Sequence, residues 1–296
     1  MIKEVAIQPE VMATWSHFQS LFEDFGVGYG RLICVYPLTW KSKVHELAAA
    51  LNRDVHAHSI RSKISAAKHK FILPLRHDYD GRRGDWQTNA EMAKEPFDAV
   101  IAKENPRKTA NVLIAGEFDK SQQPYHTQTQ QDIHRTPEAM AKASLSLLSL
   151  CEEIRIIDPF FDPSGGWGET FKQMLSLCPN NGVALKVCEI HTRFRDGMNF
   201  SAVEAHYQRY LGRDLPAGLP VRIGHWNEAL AIGKLHPRYL ITDIGGIKFD
   251  YGFDADTGPL ERNEAILLHH ERTLELIARY TTPHPSCTIF TIQKGR

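Results

Sequence analysis

Between Ile154 and Trp226 the chain alternates short apolar runs with amphipathic stretches, and this order limits the fold more than any other feature. Ile154–Phe161 reads IRIIDPFF, Val183–Ile190 reads VALKVCEI and Val221–Trp226 reads VRIGHW. A helix opened by Gly165, Gly166 and Gly168, carrying Phe171, Met174, Leu175 and Cys178, lies between the first two runs; a second, over Ser201–Leu211, lies between the last two. Parallel strands need crossovers of a dozen or more residues, which these helices supply. The expectation is an α/β fold with a largely parallel sheet and helices packed on it.

The elements around this block extend the pattern. Thr136-Pro137-Glu138 combines a capping hydroxyl, a proline in the first turn and an acid near the positive helix end, predicting a helix to about Leu150. Further strands are expected at Ile247–Asp250, Ala265–Leu268 and Cys287–Ile292, with a helix over Arg272–Tyr280. Toward the N-terminus, Val11, Trp15, Phe18, Leu21, Phe22 and Phe25 recur at helical spacing over Pro9–Phe25. Gly26, Gly28 and Gly30 follow a helix and precede a strand, the reverse of a dinucleotide fingerprint, and read as a flexible connection. Arg31–Tyr36, Phe71–Leu75, Asp98–Ala102 and Asn111–Ala115 read as strands and Trp40–Leu51 as a helix. The glutamine-rich stretch Lys120–Arg135, almost without aliphatics, reads as a linker. The expected organisation is a smaller N-terminal α/β domain, residues 1–130, and a second domain, residues 136–296. No internal repeat relates the halves.

Composition excludes several classes of partner. The 296 residues carry zero formal net charge, so nucleic acid or a membrane surface must be met by a local patch. One such patch is offered between Arg53 and Arg83, where basic residues outnumber acids, although sparse aromatics make an ordinary solvated face the simpler reading. The five cysteines are scattered, with no C-x-x-C pair, and read as reduced core residues. Without an export-type N-terminus or an apolar run of about 18 residues, no membrane span and a cytoplasmic location are expected.

The chemistry-bearing stretch is Leu235–Asp254, LHPRYLITDIGGIKFDYGFD. If Tyr239–Thr242 is a strand, alternation puts His236, Arg238 and Leu240 on one face, where an imidazole and a planar guanidinium can converge on one anion. His236 suits nucleophilic or proton-shuttle work near neutral pH. Asp243, at the strand's far end, fixes local geometry. Arg193 and Arg195 lie beyond the second strand, at the sheet edge where ligands gather in open parallel sheets, and are substrate-binding candidates. His225 beside Trp226 reads as a satisfied core or rim histidine. His269-His270-Glu271, at a strand end, gives no metal site because adjacent strand residues diverge.

This stretch resembles the phospholipase D superfamily, whose signature is H-x-K-x-x-x-x-D in a strand-turn-strand setting. Three further features are similar: Ile154–Phe161 to the family's I-x-I-x-D-P-Y segment, Leu235 before His236, and Asn263-Glu264 before a strand. The resemblance covers about Glu138–Gln293 and implies a mixed sheet flanked by helices. Arg238 stands in the lysine position, and Tyr251-Gly252-Phe253-Asp254 stands where Gly-Ser-x-Asn is usual. An H-x-R variant is also similar to the phospholipase D-like C-terminal domain that follows microtubule-interacting-and-trafficking modules, a binding domain. The resemblance implies a catalytic set of His236, Arg238, Asp243 and Glu264 acting on nucleic acid through a phosphohistidine. It calls for no metal or other cofactor, and one signature copy per chain implies a homodimer. The alternative is an inactive adaptor that binds a protein or nucleic-acid partner; the two-domain architecture is associated with bacterial defence.

Overall fold

The computed structural model describes the chain except residues 75–76, 194–196, 198, 228–237, 256–257, 259–260 and 295–296. It divides into two compact units, Ile2–Thr129 and Gln130–Arg296. Among the described residues no helix is long and apolar enough to cross a membrane.

The first unit contains β1 (Lys3–Ile7), α1 (Pro9–Ala13), α2 (Trp15–Leu21), β2 (Arg31–Cys34), α3 (Trp40–Leu51), α4 (Asp54–Ala66), β3 (Phe71–Ile72), α5 (Trp86–Glu91), β4 (Ala99–Ala102) and β5 (Val112–Ile114). Its sheet is wholly parallel, in the order β3-β2-β1-β4-β5. The central strand β1 carries no alternation to read, because it is buried on both faces from Glu4 to Ile7. The expected helix over Pro9–Phe25 is broken at Thr14, which is extended. There Asn52 bridges the break, accepting from the Trp15 amide at 3.2 Å and donating to the Ala13 carbonyl at 2.7 Å. The glycine connection is pinned rather than loose, Gly26 donating to the Arg31 carbonyl at 2.8 Å. Within the basic stretch, the buried Lys70 and the exposed Lys63 both pair with Glu23, at 3.0 Å each.

The linker expected over Lys120–Arg135 is instead folded chain. Tyr125 is fully buried in the first unit and donates to Asp24 Oδ2 at 2.9 Å, while Gln130–His134 forms β6, an edge strand of the second unit. One buried aromatic, and a strand with only Ile133 inward, leave little apolar signal.

The second unit continues with α6 (Pro137–Ala143), α7 (Leu145–Leu148), β7 (Glu153–Ile157), α8 (Gly166–Leu177), β8 (Val187–Arg193), α9 (Phe200–Tyr207), β9 (Val221–Trp226), β10 (Tyr239–Thr242), β11 (Gly246–Phe249), β12 (Arg262–Leu267), α10 (His270–Arg279) and β13 (Cys287–Ile292). Thr136 caps α6, its hydroxyl accepting from the Ala139 amide at 3.2 Å. The helix stops at Ser144, whose hydroxyl turns back to the Met140 carbonyl. The eight strands run β13-β9-β8-β7-β10-β11-β12-β6. Only β7, β8 and β9 are parallel; every other pairing is antiparallel. The sheet is therefore mixed rather than largely parallel; the three-residue connection from β10 to β11 is too short for a parallel crossover. Ile157, Tyr239 and Ile241 pack with Leu276 of α10 on one face. Ile156, Leu240 and Ile247, aligned across three strands and fully buried, form the other. The His269-His270-Glu271 run opens α10.

Candidate functional site

Strand register brings the candidate residues together. Because β10 runs antiparallel to β7 with Tyr239 opposite Ile157, Arg238 arrives beside Asp158, at the carboxyl edge of the parallel strands. Ile157 is also aligned with His191 of β8, so Arg193 ends its strand at the same edge. Both guanidinium groups lie against the Phe160 ring, Arg193 at 5.0 Å and Arg238 at 5.5 Å from its centroid. Stacking on a ring fixes a guanidinium's plane while leaving its edge for a partner. One edge of Arg238 is committed, Nη1 donating to the Asp250 carbonyl at 2.8 Å.

The floor of the cleft is built by Asp158, which is 1% exposed. Its carboxylate accepts from the Phe160 amide at 2.9 Å, the Trp167 indole at 3.0 Å and the Phe253 amide at 3.1 Å. Burial pushes its pKa above the usual range, against the pull of these donors and of Arg238. Gly252 makes the close approach, with φ +77° and a Cβ position only 2.4 Å from Asp158 Oδ2 and 2.8 Å from Arg238 Cδ. Any side chain there would displace both. Asn263 holds this turn from β12, donating to the Gly252 carbonyl at 2.8 Å and accepting from the Tyr251 amide at 3.1 Å. Arg135 closes the rim by donating to the Asp254 carbonyl at 2.7 Å and pairing with its carboxylate at 3.2 Å. The cleft between these groups holds about 420 Å³.

Of the six site residues expected from the sequence, His236 and Arg195 lie outside the described residues. Arg238 and Arg193 converge. Asp243 and Glu264 do not join them. Asp243 accepts the amides of Glu152 and Glu153 at 3.0 and 3.1 Å, holding the opening of β7 at the strand's opposite end. Glu264 accepts from the Gln130 side chain on β6. It is adjacent in the strand to Asn263, whose side chain holds the Gly252 turn, so it points to the other side of the sheet. Among the described residues no three His, Cys, Asp or Glu side chains are placed to hold a metal ion.

Several cleft residues escaped the sequence reading. Asp158 is named in the I-x-I-x-D-P segment only as a mark of the fold, and Arg135 falls within the expected linker. Trp167 meets Asp158 only once the loop between β7 and α8 folds back. His225 is buried as expected. No protein-family model matches the chain, and no curated protein is significantly similar to it.

Proposed function

We propose that the second unit is a phospholipase D-like domain that handles phosphodiesters, with nucleic acid as the substrate. The observation that carries this reading is the convergence of Arg238 and Arg193 on the Phe160 ring, at the carboxyl edge of the parallel strands. Two fixed guanidinium groups match the non-bridging oxygens of a phosphodiester and stabilise the charge that gathers there during displacement. In the reaction, His236 attacks phosphorus and the bond to the leaving oxygen breaks, giving a phosphohistidine. The partner's His236 protonates the leaving oxygen, and water then hydrolyses the phosphohistidine. One signature per chain makes the twofold dimer the active unit. Bacterial defence is the setting in which such an architecture would serve.

A second reading, a binding adaptor without turnover, draws on the loop that replaces Gly-Ser-x-Asn. In Tyr251-Gly252-Phe253-Asp254 only Tyr251 is exposed: Phe253 is fully buried, its amide is held by Asp158, and Asp254 is held by Arg135. It offers neither the serine hydroxyl nor the asparagine amide of the usual segment.

The test is cleavage of single- and double-stranded DNA and RNA with chelator present, by wild type, His236→Ala and Arg238→Lys. Cleavage abolished in His236→Ala and kept or raised in Arg238→Lys supports the enzyme. No cleavage by a verified wild-type dimer, with nucleic-acid binding intact in His236→Ala, supports the adaptor.

A further inference from the structure

In the first unit, the helix pair α3 and α4 gathers cations on one face. Val44 and Ala48 of α3 and Ile60 and Ile64 of α4 enter the core. Asn52 and Arg53 alone join the two helices, so they run back along each other and the start of α3 returns to the end of α4. Lys41 and His45, four residues apart on α3, share one side of it. Lys68 follows the end of α4, and the Lys41 ammonium lies 3.9 Å over the ring centre of Phe71, the first residue of β3.

The electrostatics of this face are one-sided. Burial, then the charge of Lys68, pushes the Lys41 pKa down; burial, then the charges of Arg61 and Lys41, does the same to His45. No carboxylate opposes either shift. The acids of the region have cations of their own, Glu46 pairing with Lys43 at 3.1 Å and Glu23 with Lys63 and Lys70 at 3.0 Å each. Asp54 opens α4, about two turns before Arg61. Lys41, Arg61 and Lys68 form no ion pair among the described residues, and Arg61 and Lys68 are exposed. Like charges held near one another without a counter-charge repel, and an anion that joins them recovers the loss.

We propose that the Lys41, Arg61 and Lys68 face of the first unit grips the phosphate backbone of nucleic acid without reading its bases. Cations spread along a helix pair suit a polyanion that meets them one after another. The Lys41 ammonium occupies the Phe71 ring, so the face offers charge and not stacking, and duplex and single strand both bind. Residue counts alone leave this stretch an ordinary solvated face; the unbalanced charge is what sets it apart. The inference stands apart from the phosphodiester chemistry of the second unit.

The experiment titrates the full-length protein into a labelled mixed-sequence DNA duplex, and into one of its strands, over a range of salt concentrations. The test variant is Arg61→Gln with Lys68→Gln, at two exposed positions where the fold has little to lose. The control, Lys186→Gln with Arg213→Gln, removes the same charge from two exposed, ion-paired residues of the second unit. The expected result is binding of both DNAs by wild type, about tenfold weaker in the test variant, with a plot of log affinity against log salt shallower by roughly two for the duplex and the control unchanged. Bound DNA also raises the His45 pKa, followed by its imidazole resonances, because phosphate offsets the charges of Arg61 and Lys41. Absence of DNA binding at low salt, equal affinity and slope in the test variant, or an unmoved His45 pKa at saturation would each overturn the proposal. Binding of poly-glutamate without DNA would assign the face to an acidic protein segment instead. DNA binding that survives Arg238→Gln and falls in the test variant belongs to the first unit; the reverse removes this proposal and leaves the phosphodiester reading standing.

Discussion

Trp226 Nε1 donates to His191 Nδ1 at 3.0 Å, and this single bond decides which nitrogen of a fully buried histidine carries the proton. With Nδ1 as acceptor, the proton sits on Nε2, which faces Glu189 Oε2 at 3.3 Å. Glu189 is itself held from both sides, because register aligns Arg155 of β7 and Arg222 of β9 with it across the parallel strands. Arg155 Nε reaches it at 3.0 Å, Arg222 Nη2 at 2.6 Å and the Thr282 hydroxyl at 2.6 Å. A buried carboxylate with four donors is thus built into the parallel kernel that carries the candidate site.

The network gives stability a defined pH dependence. Burial alone would raise the Glu189 pKa, but hydrogen bonds from His191 and Thr282 and the charge of Arg222 outweigh it and hold it at about 2. The unfolded value is about 4.3, so the unfolded chain takes up its proton first as pH falls. The contribution of Glu189 is complete above about pH 5 and is lost as pH drops toward 2. His191 is depressed by burial, so its contribution begins to fall earlier, below an unfolded pKa of about 6.5. Urea midpoints measured from pH 8 to pH 3 should decline in two stages. Glu189→Gln should lose the lower stage, and a flat wild-type profile would contradict the account.

Removing the acid outright is a harsher test. Glu189→Ala leaves Arg155, only 7% exposed, without its buried partner and should cost about 3–5 kcal/mol. Replacing Arg222, whose side chain is 42% exposed, should cost about 1 kcal/mol or less, because solvent screens it. Chemical denaturation of the two variants gives the comparison; equal losses would show that the burial of the pair, rather than its exposure, has been misjudged.

At the candidate site, Asp158→Asn is nearly isosteric yet should destabilise the protein by about 1–3 kcal/mol. Asp158 accepts three N–H donors, two of them at Oδ2, and an amide NH₂ placed at either oxygen must face at least one of them. Gly252→Ala should be comparably damaging through its positive φ and the contact with Arg238. Both losses are readable as shifts in urea midpoint, and both variants should weaken phosphate binding by displacing Arg238.

What the sequence reveals about this protein follows the range of each interaction. Arg193 and Arg238 were legible because strand alternation and the carboxyl-edge rule act within a few residues. Of the antiparallel pairings in the second sheet, only that of β10 with β11 follows from connection length, which the strand assignments already contain. β1 was not legible, since KEVAI is short, edged with charge and buried on both faces. Glu189, Arg155 and Arg222 are ordinary strand residues in sequence; only register makes them one cluster. Asp158, Trp167 and Arg135 depend on loop closure.

The last prediction concerns Asp243, the far end of the H-x-R-x-x-x-x-D triplet. Its carboxylate accepts the Glu152 and Glu153 amides, in the role of a cap at the start of β7. It stands five residues from Arg238, roughly 16 Å away along an extended chain. At that distance it cannot touch a phosphate held by Arg238, so its part is to fix β7 against β10. Asp243→Ala should therefore lower stability by about 1 kcal/mol, as loss of a capping acceptor does. Asp243→Asn, which keeps an acceptor, should lose less. Neither should change the affinity for ribose 5-phosphate, nor any chelator-resistant cleavage, at a temperature well below unfolding. A tenfold loss of binding or rate in a fully folded Asp243→Asn protein would place this residue in the chemistry and break the division between the strand's two ends.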